Sequence, residues 1–273
     1  MATSDFSVSV IIPVFNADKY LAASVASALK ISEVKEIILI EDGSSDASLN
    51  ECIRLSRADV RVKFYQHENG VNKGAGESRN LGIKKATCPY VAFLDSDDYY
   101  FENRYVSARQ LLNNNLSVDG VYEFVLKINE ATREEKLFGI QKQTGSKDLF
   151  RYILRGGYFH TNAITVRRDF LMKVGLFQQH CWPHEDVEMW LRMAFLGTLV
   201  PGTKSDPVAT YRIHGVNVGT SAFSTRSRAH LWRTIFLEYF YKDIGFINRL
   251  IILKQIVRFT FARFKDRRNV SMK

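Results

Sequence analysis

Cysteine is scarce in this 273-residue chain. The three present, Cys52, Cys88 and Cys181, lie far apart and form no CxxC pair. That spacing builds neither a disulfide framework nor a zinc site, and it suits a reducing compartment. Long apolar runs are lacking too, since no window reaches the roughly 20 charge-free apolar residues of a membrane span. The first residues, "MATSDFSVSVIIPVF", contain no basic segment leading into a long apolar one, so no secretory signal is expected. With only five prolines there is no proline-marked linker, and neither an internal repeat nor a low-complexity tract is visible. These absences lead to the expectation of a cytoplasmic protein.

Apolar residues make up 46% and charged residues 25%, values of a folded domain rather than a disordered chain. The length suits one large domain or two small ones around a substantial core. A net charge of +9 would suggest nucleic acid if it were spread over the chain. It is not: residues 226–273 hold twelve basic and three acidic residues, which leaves 26 of each sign in residues 1–225. The excess belongs to the tail, whose aromatics form no visible stacking surface, so no nucleic-acid partner is expected.

The first hundred residues alternate strand and helix. "SVSVIIPVF", "EIILIE", "RVKFYQ" and "YVAFLD" read as strands, and "DKYLAASVASALK", residues 47–58 and "GESRNLGIKKA" as helices. "NGVNKGAG" is a glycine-rich loop. Continuous apolar strands joined by helices predict a mostly parallel sheet covered on both faces, with ligands at the carboxyl ends of the strands. Those ends carry Phe15 and Asn16, then Glu41 and Asp42, then Asp95, Ser96, Asp97 and Asp98, so the acidic turn is expected in a cleft.

After residue 101 the spacing predicts a helix over 102–115, one strand in "DGVYEFVLKI", a hairpin or mobile loop in "NEATREEKLFGIQKQTGSK" and a strand in "FHTNAITV". A helix follows in "HEDVEMWLRMAFLG", ended by Gly197, then a strand in "PVATYRIH". The tail reads as two helices divided near Gly245. Its cations do not gather on one narrow face, and four of them interrupt the apolar stretch, which excludes an ordinary membrane span. Two readings stay open for it. The helices pack on the domain or on another copy, or their aromatics, among them Phe259, Phe261 and Phe264, and cations meet an anionic membrane surface peripherally.

The Asp95–Ser96–Asp97 spacing lets carboxylates approach one hard divalent cation from a strand end. As a bare D-x-D it is a weak signal that better fits a solvated turn, with Asp98 starting the next helix. Context comes from six segments in one order: "VSVIIPVFNADKYLAASVASAL", "EIILIEDGSSDAS", "NGVNKGAGESRNLGIKKATCPYVAFLDSDDYY", "TNAITVRRDFLMKVGLF", "HEDVEMWLRM" and "YRIHG". Over about residues 7–215 they resemble the family 2 glycosyltransferases, an inverting group with the glycosyltransferase-A fold.

The resemblance implies an α/β glycosyltransferase-A domain over 1–215, with 1–100 its nucleotide-binding half and 101–215 its acceptor half. Residues 216–273 would form a basic, aromatic helical region outside it. It also implies site residues by position. Pro13 and Phe15 would line the base pocket, and Asp42 would accept from the imide N–H of a pyrimidine. Glu41 stands where the family usually has Asp. Arg79 would contact the nucleotide, Asp95 and Ser96 the donor near its ribose, and Asp97 a Mn²⁺ or Mg²⁺ ion, with Asp98 a cap or supporting group. His214 would be a further metal ligand or a diphosphate contact. Asp186 would be the general base and Glu185 an acceptor-orienting group, although both also fit simple capping at a helix start. Trp182 would border the acceptor groove and Trp190 the core.

The implied activity is metal-dependent inverting transfer of a hexosyl or N-acetylhexosaminyl unit from a nucleotide-sugar, with UDP the expected carrier, to a glycan or lipid-linked acceptor in surface polysaccharide synthesis. Two alternatives from other classes are a non-catalytic sugar-nucleotide or glycan-binding module and a nucleotidyltransferase. The latter typically has a glycine-rich basic loop in its first strand–helix turn, and "PVFNADKY" has no glycine there.

Overall fold

The computed structural model describes residues 6–140, 146–203, 205–215 and 224–270. Its first half is four parallel strands joined by helices: β1 (Val8–Val14), α1 (Leu21–Leu29), β2 (Val34–Glu41), α2 (Ser48–Ala58), β3 (Val62–Gln66), α3 (Ala75–Lys85) and β4 (Tyr90–Phe93). The central strand β1 pairs with β2 from Val8 opposite Val34 to Val14 opposite Glu41, and with β4 from Val8 opposite Tyr90 to Ile11 opposite Phe93.

Strand side chains alternate between faces, and here both faces are buried. Val8, Val10, Ile12 and Val14 join Leu21, Val25, Cys52 and Leu55 in one core, beneath α1 and α2. Ile11 turns the other way, into a second core with Ile38, Ile83 and Phe93, on which α3 lies. At Gly82 of α3 any Cβ would run into the Ile11 side chain, so the absence of a side chain there lets the helix lie close to β1.

The second half continues with α4 (Val106–Asn114), β5 (Gly120–Tyr122), β6 (Phe124–Asn129), β7 (Glu135–Phe138), α5 (Ser146–Leu154), β8 (Ile164–Arg167), α6 (Arg168–Val174) and α7 (Glu185–Leu196). Then come β9 (Leu199–Pro201), β10 (Pro207–Ile213), α8 (Thr225–Tyr239) and α9 (Phe246–Val270). The main sheet has the order β3-β2-β1-β4-β8-β5-β9, and β8 alone runs against its neighbours. A second sheet has the order β10-β6-β7.

Several expected elements differ from this outcome. "DGVYEFVLKI" is two strands rather than one: β5 lies in the main sheet and β6 in the small one, with Glu123 at the crossover. The polar stretch after it forms a hairpin, β6 against β7, turning near Arg133, whose φ is +57°. Residues 141–145 of that stretch lie outside the described residues. "FHTNAITV" is a strand only from Ile164; Thr161–Ala163 is a single 3₁₀ turn, because the His160 side chain accepts the Asn162 N–H in a cap. Gly197 ends α7 in an extended conformation, φ −142°, so it is no left-handed cap. Its lack of a side chain matters for packing instead, since a Cβ there would strike Phe170.

The tail divides at Gly245, φ +76°. Leu231, Trp232, Ile235 and Tyr239 of α8 and Ile252 of α9 are buried in the same core as Trp190. Gln255 donates to the Leu154 carbonyl at 3.2 Å, and Arg151 donates to Asn248 Oδ1 at 3.2 Å. One face of each helix thus packs on the rest of the chain. Among the described residues, no helix is long and apolar enough to cross a membrane.

Candidate active site

The parallel strands bring the ends of β1, β2 and β4 to one edge of the sheet, as expected. At the end of β2 Asp42 is buried and faces the glycine-rich loop. Its Oδ1 accepts the Lys73 N–H at 2.7 Å and its Oδ2 the Gly74 N–H at 2.9 Å. Burial raises its pKa, and those two N–H groups work against the rise. His67 Nε2 lies 3.5 Å from Asp42 Oδ1 and 3.0 Å from Ser78 Oγ, so it ties the loop to α3. Gly43, φ +72°, admits no side chain, because a Cβ there would meet the backbone of Gly70 and Asn72 at 2.8 Å.

Glu41 is also occupied, accepting from Ser44 N at 2.5 Å and Gln66 Nε2 at 2.8 Å. Asn16, φ +50°, accepts the Ser45 N–H at 2.9 Å and binds the two loops together. Phe15 is half exposed at the β1 end, and Pro13 is partly buried in the strand behind it. These groups form one wall of the cleft.

The acidic turn forms the floor, and its three carboxylates have separate surroundings. Asp95 Oδ1 accepts from Arg79 Nη2 at 2.8 Å. Burial would raise the Asp95 carboxyl, but the adjacent Arg79 guanidinium holds it below the usual range. Arg79 is buried on α3 with Phe177 against it, 5.7 Å from the ring centre, and its Nε has no partner among the described residues. It is therefore no surface arginine. Asp98 is buried and fully engaged: it accepts from Asn162 Nδ2 at 2.8 Å, Thr210 Oγ1 at 3.1 Å and Arg212 N at 2.7 Å. It starts no helix. It clamps the turn to β10.

Asp97 differs from both. Its Oδ2 lies 2.8 Å from His214 Nε2, at the end of β10. Burial and then the negative charge of Asp95 push its pKa up. The buried side of the turn also contains Ser96. A divalent cation would relieve both penalties on Asp97, and one carboxylate oxygen with one imidazole nitrogen is a donor pair that Mn²⁺ accepts. Among the described residues no three His, Cys, Asp or Glu side chains gather as a complete metal site. Asp97 and His214 would supply only part of a shell, and a cation held there would need further oxygens, as Mg²⁺ held by one or two carboxylates and phosphate does.

Glu185 and Asp186 begin α7, opposite this floor. Glu185 is buried, its Oε2 has no hydrogen-bond partner among the described residues, and its Cγ lies where a Cβ on Gly76 would press, 3.1 Å away. The amino ends of α3 and α7 thus meet. The Asp186 pKa is raised to about 7, first by burial and then by Glu185, and Arg79 and Asp95 also act on it. The Asp186 carboxylate is thus near enough to the Arg79–Asp95 pair to feel its charges. Asp186 Oδ1 accepts its neighbour's N–H, Val187 N, at 2.7 Å, so a local turn fixes the carboxylate.

Four cleft residues escaped the sequence reading. Asn162 donates to Asp98 and to the Thr210 carbonyl and accepts the Asp95 N–H at 2.9 Å, so one buried amide sets the whole turn. His160 is pushed down to about 4 by burial and is therefore neutral; its Nδ1 accepts the Asn162 N–H, which leaves the proton on Nε2. Its ring stacks on Tyr211 at 4.4 Å. Tyr158 and Tyr211 both feel the charges of Asp95 and Asp186. The available signal was a His and an Asn inside an otherwise apolar segment, "FHTNAITV". His184 is buried and near pKa 4, and it meets Ser227 Oγ at 3.3 Å. Trp190 is core and Trp182 is exposed.

The sequence profile described as "Glycosyl transferase family 2" matches residues 9–175, more than half of the chain. An "Uncharacterized glycosyltransferase" of Rickettsia bellii is 38% identical over 219 residues, 78% of this chain and 30% of that protein. The chain thus spans about a third of the length of that relative. An Escherichia coli protein named "UDP-Glc:alpha-D-GlcNAc-diphosphoundecaprenol beta-1,3-glucosyltransferase WfgD" is 35% identical over 146 residues, 52% of this chain and 55% of that protein. Among solved structures, S. aureus TarS 1-349 in complex with UDP-GlcNAc superposes with a TM-score of 0.73 at 21% identity, over 94% of this chain and 73% of TarS. The fold is that of the glycosyltransferase-A group.

Proposed function

The chain belongs to glycosyl transferase family 2, and we propose that it transfers a hexosyl or N-acetylhexosaminyl unit from a UDP-sugar to an acceptor hydroxyl with inversion at the anomeric carbon. The observation that carries this reading is the raised Asp186 carboxyl, about 7, on the cleft that holds the Arg79–Asp95 pair. A general base works best when its pKa lies near the working pH. The TarS likeness and the name of the E. coli relative support a UDP-sugar as donor.

Each residue then has a task. Pro13 and Phe15 flank the base at the end of β1, and Asp42 holds the glycine-rich loop in the shape that receives it, with lone pairs left for the imide N–H. Arg79 fixes Asp95, which with Ser96 faces the ribose. Asp97 and His214 would hold Mn²⁺ or Mg²⁺, which when bound neutralises charge on the departing diphosphate. Glu185 orients the acceptor. Asp186 Oδ takes the hydroxyl proton as the acceptor oxygen forms its bond to the anomeric carbon, and the bond from that carbon to the diphosphate oxygen breaks on the opposite face. The partly buried rings of Tyr158 and Tyr211 would limit water as a competing acceptor.

The acceptor in this reading is a glycan or a lipid-linked glycan of a surface polysaccharide, and the basic tail meets an anionic membrane face on the cytoplasmic side. The test is a donor screen with Mn²⁺ or Mg²⁺ that measures release of free nucleoside diphosphate. Release from a UDP-sugar and its loss on chelation support the reading. No release from any donor and acceptor pair, with nucleotide binding intact, supports a binding module instead.

A further inference from the structure

A groove of about 880 Å³ lies beside the α7 entrance, between the Trp182–Pro183 segment and the α8–α9 pair. Its charge is one-sided: Arg226, His230 and Arg233 line it, and no lining residue is acidic. Arg226, His230, Arg233 and Leu237 follow the helical spacing of one face, so α8 presents cations at its start and an apolar end after them. His230 Nε2 lies 2.9 Å from the His180 carbonyl oxygen and holds α8 to the loop before Trp182. Arg226 and Arg233 make no ion pair among the described residues.

The apolar end of the groove does not close. Leu237 and Leu253 line it and are both exposed. From Leu253 an exposed stripe continues along α9 through Phe246, Leu250, Val257 and Phe261, at spacings of three and four residues. The opposite face of α9 is the one packed on the domain, through Asn248, Ile252 and Gln255. Unlike the cations, which are spread round the helix, the exposed apolar groups gather on one side. At its other end the groove borders Trp182 and Pro183, in the segment that leads into α7. His184 meets Ser227 of α8, a groove residue, and Asp186 lies two residues beyond.

A cationic stretch beside the segment that enters α7, continued at its other end by an exposed hydrocarbon-like stripe, matches an amphiphile with an anionic head. We propose that the groove binds a sugar acceptor carried on a lipid diphosphate, with the diphosphate against Arg226 and Arg233 and the hydrocarbon over Leu237 and Leu253 onto α9. The proposal rests on the glycosyl-transfer reading and names the acceptor class for it. Charge pairing with two arginines is strong for phosphate, because the guanidinium fork matches its oxygens. Covering the hydrocarbon removes apolar surface from water, so chain and head reinforce one another.

Equilibrium dialysis of the full chain against farnesyl diphosphate, in EDTA so that no cation draws the probe to the acidic turn, tests this directly. Farnesyl diphosphate should bind at least ten-fold more tightly than farnesol or inorganic pyrophosphate. R226E/R233E should lose at least ten-fold in affinity, with R226Q/R233Q as the milder pair if the first does not fold. L253D should lose affinity for farnesyl diphosphate and not for pyrophosphate. Equal binding by parent and arginine variants overturns the proposal, as does pyrophosphate binding as well as farnesyl diphosphate. Flotation on phosphatidylglycerol vesicles without farnesyl diphosphate binding also overturns it, and assigns the surface to a bilayer. Failure of the glycosyl-transfer reading shows elsewhere, as a parent chain that releases no nucleoside diphosphate from any donor.

Discussion

Asp97 and His214 are 117 residues apart in sequence and 2.8 Å apart in space, one at the end of β4 and the other at the end of β10. The pair joins the main sheet to the small one at the point where a cation is proposed. If both are ligands, His214→Ala should raise the Mn²⁺ concentration for half-maximal activity at least about ten-fold, because loss of even a supporting partner of a metal ligand costs about 10–100-fold. Asp97→Ala should cost more. A Mn²⁺ titration of each variant checks this, and an unchanged midpoint removes that residue from the metal.

If Asp186 is the general base, it sets the pH dependence. Its pKa is about 7 in the folded chain, and the proton acceptor is the ionised form, so kcat/KM should rise through about pH 7 and level off above it. Asp186→Asn should abolish that limb. A stability effect of opposite sense follows. A carboxyl raised on folding costs stability once pH exceeds its unfolded value, near 4, and the cost is complete above about 7. The Asn variant should therefore gain Tm over the parent at pH 8 and show little gain at pH 4. A gain that falls with pH would contradict the assignment.

Arg79 and Asp95 stand together. Arg79→Ala leaves Asp95 without its counter-charge in a buried place, a change that typically costs roughly 3–5 kcal/mol. The partial exposure of Asp95, 28% of its side chain, should bring the loss toward the lower end. Adding Asp95→Asn should restore part of it. Urea unfolding of the two single variants and the double variant gives the coupling, and strict additivity would mean that the pair contributes nothing.

Asn162 connects Asp95, Asp98 and Thr210 through three hydrogen bonds. Asn162→Ala should destabilise by about 2 kcal/mol or more, since buried groups are left unpaired. It should also weaken donor binding through the displaced turn, although Asn162 itself touches no donor. A binding isotherm equal to that of the parent would limit its role to stability.

Much of the first half was legible because its signals are local. "SVSVIIPVF" and "EIILIE" are apolar on both faces, as only a strand covered from two sides can be, and the order of strands and helices then placed Asp42 and Asp95 on one edge. The Asp186 placement came from resemblance, not from periodicity, because helix-start acids such as Glu185 look alike whether they cap or catalyse. What failed was non-local. "DGVYEFVLKI" reads as one strand, and only pairing partners far away, β8 and β10, divide it at Glu123. The tail looked evenly charged because a helical wheel cannot show which side meets α5 and α8.

Close packing of α3 on β1 gives a prediction free of chemistry. Gly82→Ala should cost roughly 1–3 kcal/mol by forcing a methyl into Ile11. Ile11→Ala, which removes the γ carbons that the methyl would strike, should recover part of the loss in the same chain; if the double variant is as unstable as the sum of the singles, the contact is not the cause.

The most direct test compares donor affinity and turnover in Asp186→Asn, using the UDP-sugar that the screen identifies. The account predicts a dissociation constant close to that of the parent and turnover lower by about 10²–10⁴, the usual worth of a general base. Turnover within a few-fold of the parent at equal affinity would contradict it.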